Sequence, residues 1–291
     1  MDGAVRQLGL DLGGTKIKLA MLEDGRCVAR DETETRSEDG PEAVLERLVE
    51  LGRGAGEADS VGVAVPGLVD EDGNALLFPN LRGVWTGRQI LAPLEEGLGQ
   101  PVRLVNDGHA FALAEAALGA GMGGSTVMCI VCGTGIGGGL ALDGALHLGP
   151  EGRAGEFGHH TVAENGPPCA CGNHGCLELY AGSRAIADAA AAPSFDEALE
   201  RARAGDERAV EALRRAGELI GLAVANVVIF LCPDRVVVGG GVAEAGDLLF
   251  APLRASLEAR ARVAPLERIA VVPATLGPGA GAIGAALHGA A

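Results

Sequence analysis

Short apolar segments alternate with amphipathic helical segments in both halves of the chain, and this alternation predicts an α/β fold. In the first half, predicted strands at 5–11 and 15–21 precede a helix that Pro41 opens. In the second half, a predicted strand at 126–132 precedes a long helix that ends near Leu231. Because strands and helices recur in this order twice, two α/β domains are expected.

The 291 residues are enough for two domains of about 150 residues each. The glycine-rich segment 119–121 is the predicted boundary, which divides the chain into a small domain at 1–118 and a larger domain at 119–279. A helix expected at 280–291 would complete the first domain. The larger domain would carry a loop at 149–178 that is rich in Gly, Pro and Cys.

The charge of the chain argues against a nucleic-acid partner. There are 23 basic and 39 acidic residues, which gives a formal net charge of −16, and no run of Lys and Arg forms a basic face. If such an acidic chain binds phosphates, it must use backbone amides, a metal ion and a few local cations.

The N-terminus lacks a basic segment followed by an apolar one, so no signal peptide is predicted. The longest apolar segment, 219–232, contains Asn226 and is shorter than the roughly 18 residues of a membrane span, which predicts a buried helix. We therefore expect a cytoplasmic protein with no membrane partner.

The first glycine cluster has the sequence DLGGTK and lies between the first two predicted strands. Gly13 and Gly14 permit a tight turn whose amides could face phosphate oxygens. Asp11 could hold a hydrated Mg²⁺, and Thr15 and Lys16 could reach phosphate. A plain β-turn that needs only glycine explains this cluster equally well.

A second cluster, GTGIGGG at 133–139, follows a predicted strand and contains the dinucleotide-binding spacing G-x-G-x-x-G. That motif must open a helix, whereas the three consecutive glycines and the following LALDG predict a strand and a turn. Two further clusters, at 239–241 and 277–284, precede predicted helices and could be tight connections. Since no G-x-x-x-x-G-K-[ST] sequence occurs, a P-loop NTPase is not expected.

Three cysteines lie close together in a polar loop, at Cys169, Cys171 and Cys176. Three thiolates and one imidazole form a four-coordinate structural zinc site, and the short spacings let one loop surround the ion. The alternative is three unrelated buried cysteines. Three histidines lie nearby, and each could be the fourth ligand: His159, His160 and His174.

Together these motifs resemble those of the ROK family, which groups sugar kinases with sugar-responsive repressors in the actin-like ATPase superfamily. The resemblance rests on DLGGTK, the pair Asn106-Asp107, GTGIGGG, His159, and the spacing CxCGxxGC followed by Glu178. It extends over nearly the whole chain. It implies an α/β fold of two actin-like (ribonuclease H-like) domains with an ATP and sugar cleft between them.

The resemblance also implies roles for individual residues. Asp107 would be the catalytic base. The sugar would contact Asn80, Asn106, Asp107, Glu156, His159 and Glu178. ATP and its Mg²⁺ would be bound by Asp11, Gly13, Gly14, Thr15, Lys16, Gly133, Thr134, Gly135, Gly239, Gly240 and Gly241. A structural Zn²⁺ would be bound by His159, Cys169, Cys171 and Cys176.

The activity that the resemblance implies is a glucokinase, which transfers the γ-phosphoryl group of ATP to the 6-hydroxyl of glucose. An N-acetylglucosamine or N-acetylmannosamine kinase is the alternative, and a fructokinase is a more distant one. A sugar-sensing repressor would need a DNA-binding domain before the first hairpin, and Asp11 leaves no room for it. A homodimer or homotetramer is expected.

Two departures from the family pattern bear on the choice of sugar. After Asp107 the chain reads GHAF, where glucokinases of the family usually read ANAA, and Trp85 is followed by Thr86 and not by a basic residue. Asp107 itself has a second interpretation, because an aspartate at this place could simply cap the helix predicted at 108–118.

Overall fold

The chain forms two units, each built around one five-stranded sheet. The computed structural model describes residues 4–291. The first unit consists of the described part of Met1–Leu118 together with Leu146–Ala154 and Pro278–Ala291. The second unit consists of Gly119–Ala145 and Gly155–Gly277. Strands and helices alternate in both units, which confirms the predicted α/β class.

The two sheets repeat one arrangement of strands. The strands of the first unit are β1 (Arg6–Leu12), β2 (Lys16–Glu23), β3 (Arg26–Glu34), β4 (Ser60–Val65), β5 (Leu68–Val69), β6 (Ala75–Leu77) and β7 (Val102–Asn106). Those of the second unit are β8 (Thr126–Cys132), β9 (Ile136–Leu142), β10 (Ala145–Leu146), β11 (Arg235–Gly239) and β12 (Ala270–Pro273).

The order is β3-β2-β1-β4-β7 in the first sheet and β10-β9-β8-β11-β12 in the second, with β5 and β6 as a separate pair. β1 pairs antiparallel with β2 and parallel with β4, just as β8 pairs antiparallel with β9 and parallel with β11. The turns that follow β1 and β8 therefore occupy equivalent places in the two units, and each contains one of the predicted glycine clusters.

Nine helices cover these sheets in the described part of the chain. They are α1 (Pro41–Gly54), α2 (Leu91–Leu98), α3 (Asp107–Leu118), α4 (Glu178–Ala181), α5 (Ser183–Ala189), α6 (Phe195–Arg203), α7 (Glu207–Leu231), α8 (Asp247–Arg260) and α9 (Ala280–Gly289). Short 3₁₀ turns connect several of these elements, including one at Phe157–His159.

In the first unit, α9 packs directly against the backbone of the sheet and of α3. A Cβ atom at Gly9 on β1 or at Gly62 on β4 would overlap carbonyl oxygens of α9, and one at Gly284 would overlap the Ala110 carbonyl on α3. Only glycine permits so close an approach of a helix to its neighbours. This packing fixes the beginning of α9 beside the carboxyl end of β1.

The long helix α7 forms the core of the second unit together with α8. Gly217 and Gly221 on α7 face carbonyl oxygens of α8, and the Ser256 hydroxyl donates a hydrogen bond to the Glu218 carbonyl at 2.6 Å. The apolar segment at the end of α7 is not wholly buried, since Phe230 is 93% exposed. Among the described residues, no helix is both long and apolar enough to cross a membrane.

Candidate functional site

The turn between β1 and β2 contains the first glycine cluster and is fixed by Thr35. The Gly13 amide donates to the Lys16 carbonyl at 3.0 Å, which closes the turn. The Thr35 amide donates to the Thr15 carbonyl at 2.8 Å, and its hydroxyl donates to the Gly13 carbonyl at 2.6 Å. Thr35 is fully buried, so these bonds hold the turn rigidly. No sequence motif points to Thr35.

Asn80 lies against this turn, whereas Lys16 is directed away to a neighbouring strand. A Cβ atom on Gly14 would lie 2.7 Å from the Asn80 carbonyl, so the two backbones are in close contact. The Lys16 ammonium forms an exposed ion pair with Glu32 on β3. A contact of Lys16 with phosphate thus stays a prediction, and it requires the side chain to leave Glu32.

Asp11, near the end of β1, packs against the first turn of α9, where any side chain at Gly281 would meet its carboxyl group. Burial, together with the negative charge of the nearby Asp107, raises the pKa of Asp11 to about 7, and Lys18 opposes this shift. Two carboxyl groups of one unit therefore lie close enough to repel each other. Such a pair of oxygen donors is suited to a hard divalent cation.

Lys18 connects the hairpin to the segment before α9, because its ammonium group donates a hydrogen bond to the Pro278 carbonyl at 2.9 Å. No motif marks Lys18, but the two-residue period of a strand places it on the same face of β2 as Lys16. Lys16 and Lys18 therefore contact different partners, Glu32 and the Pro278 carbonyl respectively.

Asn106, the last residue of β7, caps α3. Its side-chain oxygen accepts hydrogen bonds from the amides of Gly108 at 2.8 Å and His109 at 3.2 Å. Its side-chain NH₂ donates to the Gly67 carbonyl at 3.0 Å. Asp107 is the first residue of α3, and its carboxylate accepts a hydrogen bond from the Gly108 amide at 2.8 Å. Side-chain bonds to both the Gly108 and the His109 amides therefore come from Asn106, and the catalytic role of Asp107 stays a prediction.

Asn106→Ala is expected to destabilise the first unit by about 1–2 kcal/mol, because two amides of α3 lose their acceptor and the Gly67 carbonyl loses its donor. Asn106→Ser keeps a capping oxygen and loses only the bond to Gly67, so its loss of stability should be smaller. Urea denaturation followed by circular dichroism would measure both. Equal stability of the alanine variant and the unsubstituted protein would contradict the capping role.

The turn between β8 and β9 contains the second glycine cluster. The Gly133 amide donates to the Gly135 carbonyl at 2.9 Å, and the exposed Thr134 lies at the apex of the turn. The cluster opens a strand, β9, and not a helix. This confirms that the G-x-G-x-x-G spacing is not a Rossmann motif in this chain, as the sequence predicted.

The third glycine cluster lies beside the second, because β8 and β11 are adjacent parallel strands. β11 ends at Gly239, and Gly240 has a φ of +83°. A Cβ on Gly240 would overlap the backbone of Cys132, the last residue of β8. Gly241 faces open space. The tertiary structure therefore brings together two clusters that are about a hundred residues apart in the chain.

The four predicted zinc ligands converge in the second unit. One ligand atom from each of His159, Cys169, Cys171 and Cys176 lies within 4.8 Å of all the others. The Cys171 and Cys176 sulfurs are 3.7 Å apart, and the Cys169 sulfur is 3.7 Å from Nδ1 of His159. Two sulfurs bound tetrahedrally at about 2.3 Å would be about 3.8 Å apart. The donor set and its spacing therefore fit zinc.

The thiols of this cluster have unequal acidity. Burial raises the pKa of Cys176 to about 12, with further contributions from Cys169 and Cys171. A hydrogen bond from the Asn173 amide lowers the pKa of the exposed Cys171. A thiolate at the buried Cys176 thus requires a nearby positive charge, and a bound metal ion supplies one.

The structure separates the three candidate histidines. His159 Nδ1 faces the thiols, and its Nε2 lies 3.9 Å from the Glu156 carboxylate. The His160 ring packs edge-on against Phe157, with ring centroids 5.1 Å apart. His174 is exposed on the loop and lies outside the cluster. His159 is therefore the histidine that joins the cysteines.

The two predicted sugar-binding glutamates lie on opposite sides of the cysteine loop in the sequence, and they have different surroundings. Glu156 is exposed beside His159. Glu178 is half-buried at the start of α4, and its carboxylate accepts a hydrogen bond from the Ile136 amide at 3.2 Å. Glu178 therefore contacts the glycine turn after β8, a link that no sequence motif predicts.

Known proteins resemble this chain over nearly its full length. It is 34% identical over 275 residues to a glucokinase of Thermotoga maritima, covering 86% of each chain. The structure of a ROK hexokinase from Thermus thermophilus superposes with a TM-score of 0.86 at 36% identity and 98% coverage of both chains. A ROK family glucokinase from Streptomyces griseus, in complex with glucose and AMPPNP, gives a TM-score of 0.84 at 31% identity, covering 98% of this chain and 99% of the other.

These structural neighbours match both units of this chain. Each unit of this chain has a glycine turn after the first strand of its sheet. The family model described as ROK family matches residues 7–289. The match includes both glycine turns, the capped helix α3 and the cysteine cluster, and this chain therefore belongs to the ROK family.

Proposed function

We propose that this protein is an ATP-dependent glucokinase, which transfers the γ-phosphoryl group of ATP to the 6-hydroxyl of glucose. The observation that carries the proposal is the position of Asp107 at the first residue of α3, where Asn106 supplies the helix cap. The proposal is supported by similarity to a glucokinase of T. maritima and to an S. griseus glucokinase structure that contains glucose and AMPPNP.

Asp107 would accept the proton of the sugar hydroxyl. As the 6-oxygen forms its bond to the γ-phosphorus, the bond from that phosphorus to the β–γ bridging oxygen breaks and ADP leaves. The hydroxyl proton passes to the Asp107 carboxylate, which increases the nucleophilicity of the oxygen.

The glycine turns would bind the phosphates of ATP. Their backbone amides can donate hydrogen bonds to phosphate oxygens without adding positive side chains, which suits a chain of net charge −16. The amides proposed for this role are those of Gly13, Gly14 and Thr15, those of Gly133 to Gly135 and those of Gly239 to Gly241. Asp11, whose carboxyl group lies near that of Asp107, would hold a hydrated Mg²⁺, and the charge of this ion would partly neutralise the phosphates.

The second unit would bind sugar hydroxyls through Glu156, His159 and Glu178. A carboxylate can accept two hydrogen bonds from neighbouring hydroxyls. If Nδ1 of His159 binds zinc, its Nε2 carries the proton and can donate to a hydroxyl. With four protein ligands a zinc ion has no open position, so it would support the fold of the loop without contacting the reacting atoms.

Incubation with ATP, Mg²⁺ and a panel of hexoses tests the proposal. We expect phosphorylation of glucose, with phosphate on the 6-oxygen by ³¹P and ¹³C NMR of the product, and much lower kcat/KM for N-acetylglucosamine, N-acetylmannosamine and fructose. Efficient turnover of an N-acetylated hexosamine without turnover of glucose would reject the glucokinase and retain a sugar kinase. ATP hydrolysis that no sugar stimulates would reject both.

A further inference from the structure

Ile136, the first residue of β9, is contacted by both segments that carry the proposed sugar ligands. Its amide donates to the Glu178 carboxylate at 3.2 Å. On its carbonyl side, Gly158 approaches so closely that a Cβ there would overlap the Ile136 oxygen. Gly158 belongs to the 3₁₀ turn Phe157–His159, which follows Glu156 and contains His159. All these residues belong to the second unit.

The Glu178 carboxylate also packs tightly against the glycine turn itself. A Cβ atom on Gly135 would overlap Oε2 of Glu178, the oxygen that accepts the Ile136 amide. A side chain at position 135 would therefore displace the Glu178 carboxylate from the turn. The side chain of Glu178 is half-buried in this contact, which leaves its other oxygen, Oε1, outside the bond to Ile136.

The residues that follow Glu178 also contact this turn. The Ser183 amide donates to the Gly133 carbonyl at 2.8 Å, and Gly182 approaches the Thr134 carbonyl so closely that a Cβ would lie 2.7 Å from it. The segment that begins at Glu178 thus contacts every residue of the Gly133–Gly135 turn. Two residues before Glu178 lies Cys176, a fully buried member of the cysteine cluster.

We propose that Glu178 is a positioning residue for the nucleotide-binding turn, in addition to its proposed contact with the sugar. One oxygen holds the Ile136 amide and fixes the turn, and the other remains for a sugar hydroxyl. Only one residue, Leu177, separates Cys176 of the cysteine cluster from Glu178, so the cluster is connected closely to the proposed phosphate-binding turn. The identity of the ligand in this inference rests on the proposed function. The contact between Glu178 and the turn does not depend on that function.

Glu178→Ala removes the acceptor of the Ile136 amide and opens space beside Gly135. Hydrogen–deuterium exchange of the peptide that spans 133–137 should become faster in the ligand-free, zinc-loaded protein. Since one lost hydrogen bond corresponds to a several-fold change in an equilibrium constant, the Kd for AMPPNP without sugar should rise about five- to tenfold. Zinc content should stay that of the unsubstituted protein.

Two matched variants separate this role from sugar binding. Glu178→Gln keeps an acceptor oxygen for the Ile136 amide, so it should restore the slow exchange and the AMPPNP affinity while glucose binding remains weakened. The Glu156 carboxylate lies 3.9 Å from Nε2 of His159, whereas the Ile136 amide is bonded by Glu178. Glu156→Ala should therefore weaken glucose binding and leave the exchange at 133–137 and the AMPPNP affinity unchanged.

The inference is overturned if hydrogen–deuterium exchange at 133–137 in Glu178→Ala equals that of the unsubstituted protein, whether or not the protein binds glucose and AMPPNP. It is also overturned if Glu156→Ala changes the exchange as much as Glu178→Ala does. Failure of the unsubstituted protein to bind glucose or to phosphorylate it would instead reject the proposed function. The exchange measurement uses neither ligand, so the two failures are distinguishable.

Discussion

Replacing Asp107 by Asn is expected to lower kcat by about 10²- to 10⁴-fold, the usual contribution of a positioned general base. The amide of the variant has nearly the shape of the carboxylate and can still hydrogen-bond the sugar, but it does not take up the proton. Glucose and AMPPNP should therefore bind with affinities close to those of the unsubstituted protein. Steady-state kinetics and isothermal titration calorimetry would measure the two effects separately.

The thermal midpoint of the same variant distinguishes catalysis from structure. Asn106 accepts hydrogen bonds from the Gly108 and His109 amides, and an asparagine at position 107 keeps an acceptor oxygen for the Gly108 amide, so Asp107→Asn should shift the midpoint by no more than about 3 °C. A turnover within a few-fold of the original would remove Asp107 from the mechanism. Glu156 would then be the carboxylate to test as the base.

Loss of zinc should have the second largest effect, because it disorganises a whole loop. Cys171→Ser removes one of four converging ligands, and the zinc content should fall from about one ion per chain to below about 0.2. The segments that carry Glu156, His159 and Glu178 would then lose their support. We expect glucose affinity to fall at least about tenfold, since binding of a structural metal is coupled to folding of its loop.

A cysteine outside the cluster provides the matched control. Cys232 is exposed, as Cys171 is, and it follows the last residue of α7 in the same unit. Cys232→Ser should keep about one zinc per chain and normal glucose binding. Elemental analysis of the zinc content and calorimetry of glucose binding on both variants test this prediction. A Cys171→Ser protein that lacks zinc and still binds glucose normally would show that the metal does not organise the sugar site.

Local sequence was sufficient to predict the elements around the site. Alternating apolar segments determined the α/β class, because burying one face of a strand or a helix imposes a two- or 3.6-residue period. The triple glycine in GTGIGGG excluded a helix at that point, and β9 begins there. The density of Cys169, Cys171 and Cys176 predicted a metal cluster, since ligands so close in a loop need no long-range folding to meet.

The predictions that remained open concerned contacts between distant segments. Sequence alone could not choose among His159, His160 and His174, because all three lie near the cysteines and only the path of the chain decides which ring reaches them. It could not tell that Asn106 rather than its neighbour caps α3, since both are good N-cap residues. It also gave no sign of Thr35, whose hydroxyl bonds the first glycine turn from 22 residues away.

The sequence by itself determined the class of fold, the glycine turns and the cysteine cluster, because each depends on residues that are neighbours along the chain. Only the tertiary structure decided which distant residues contact those turns and those ligands. The link from Glu178 to Ile136 joins residues 42 positions apart, and the Asp11 carboxyl meets the beginning of α9 near the other end of the chain. Such contacts depend on how strands and helices pack, and packing leaves no periodic signal in the residues that it brings together.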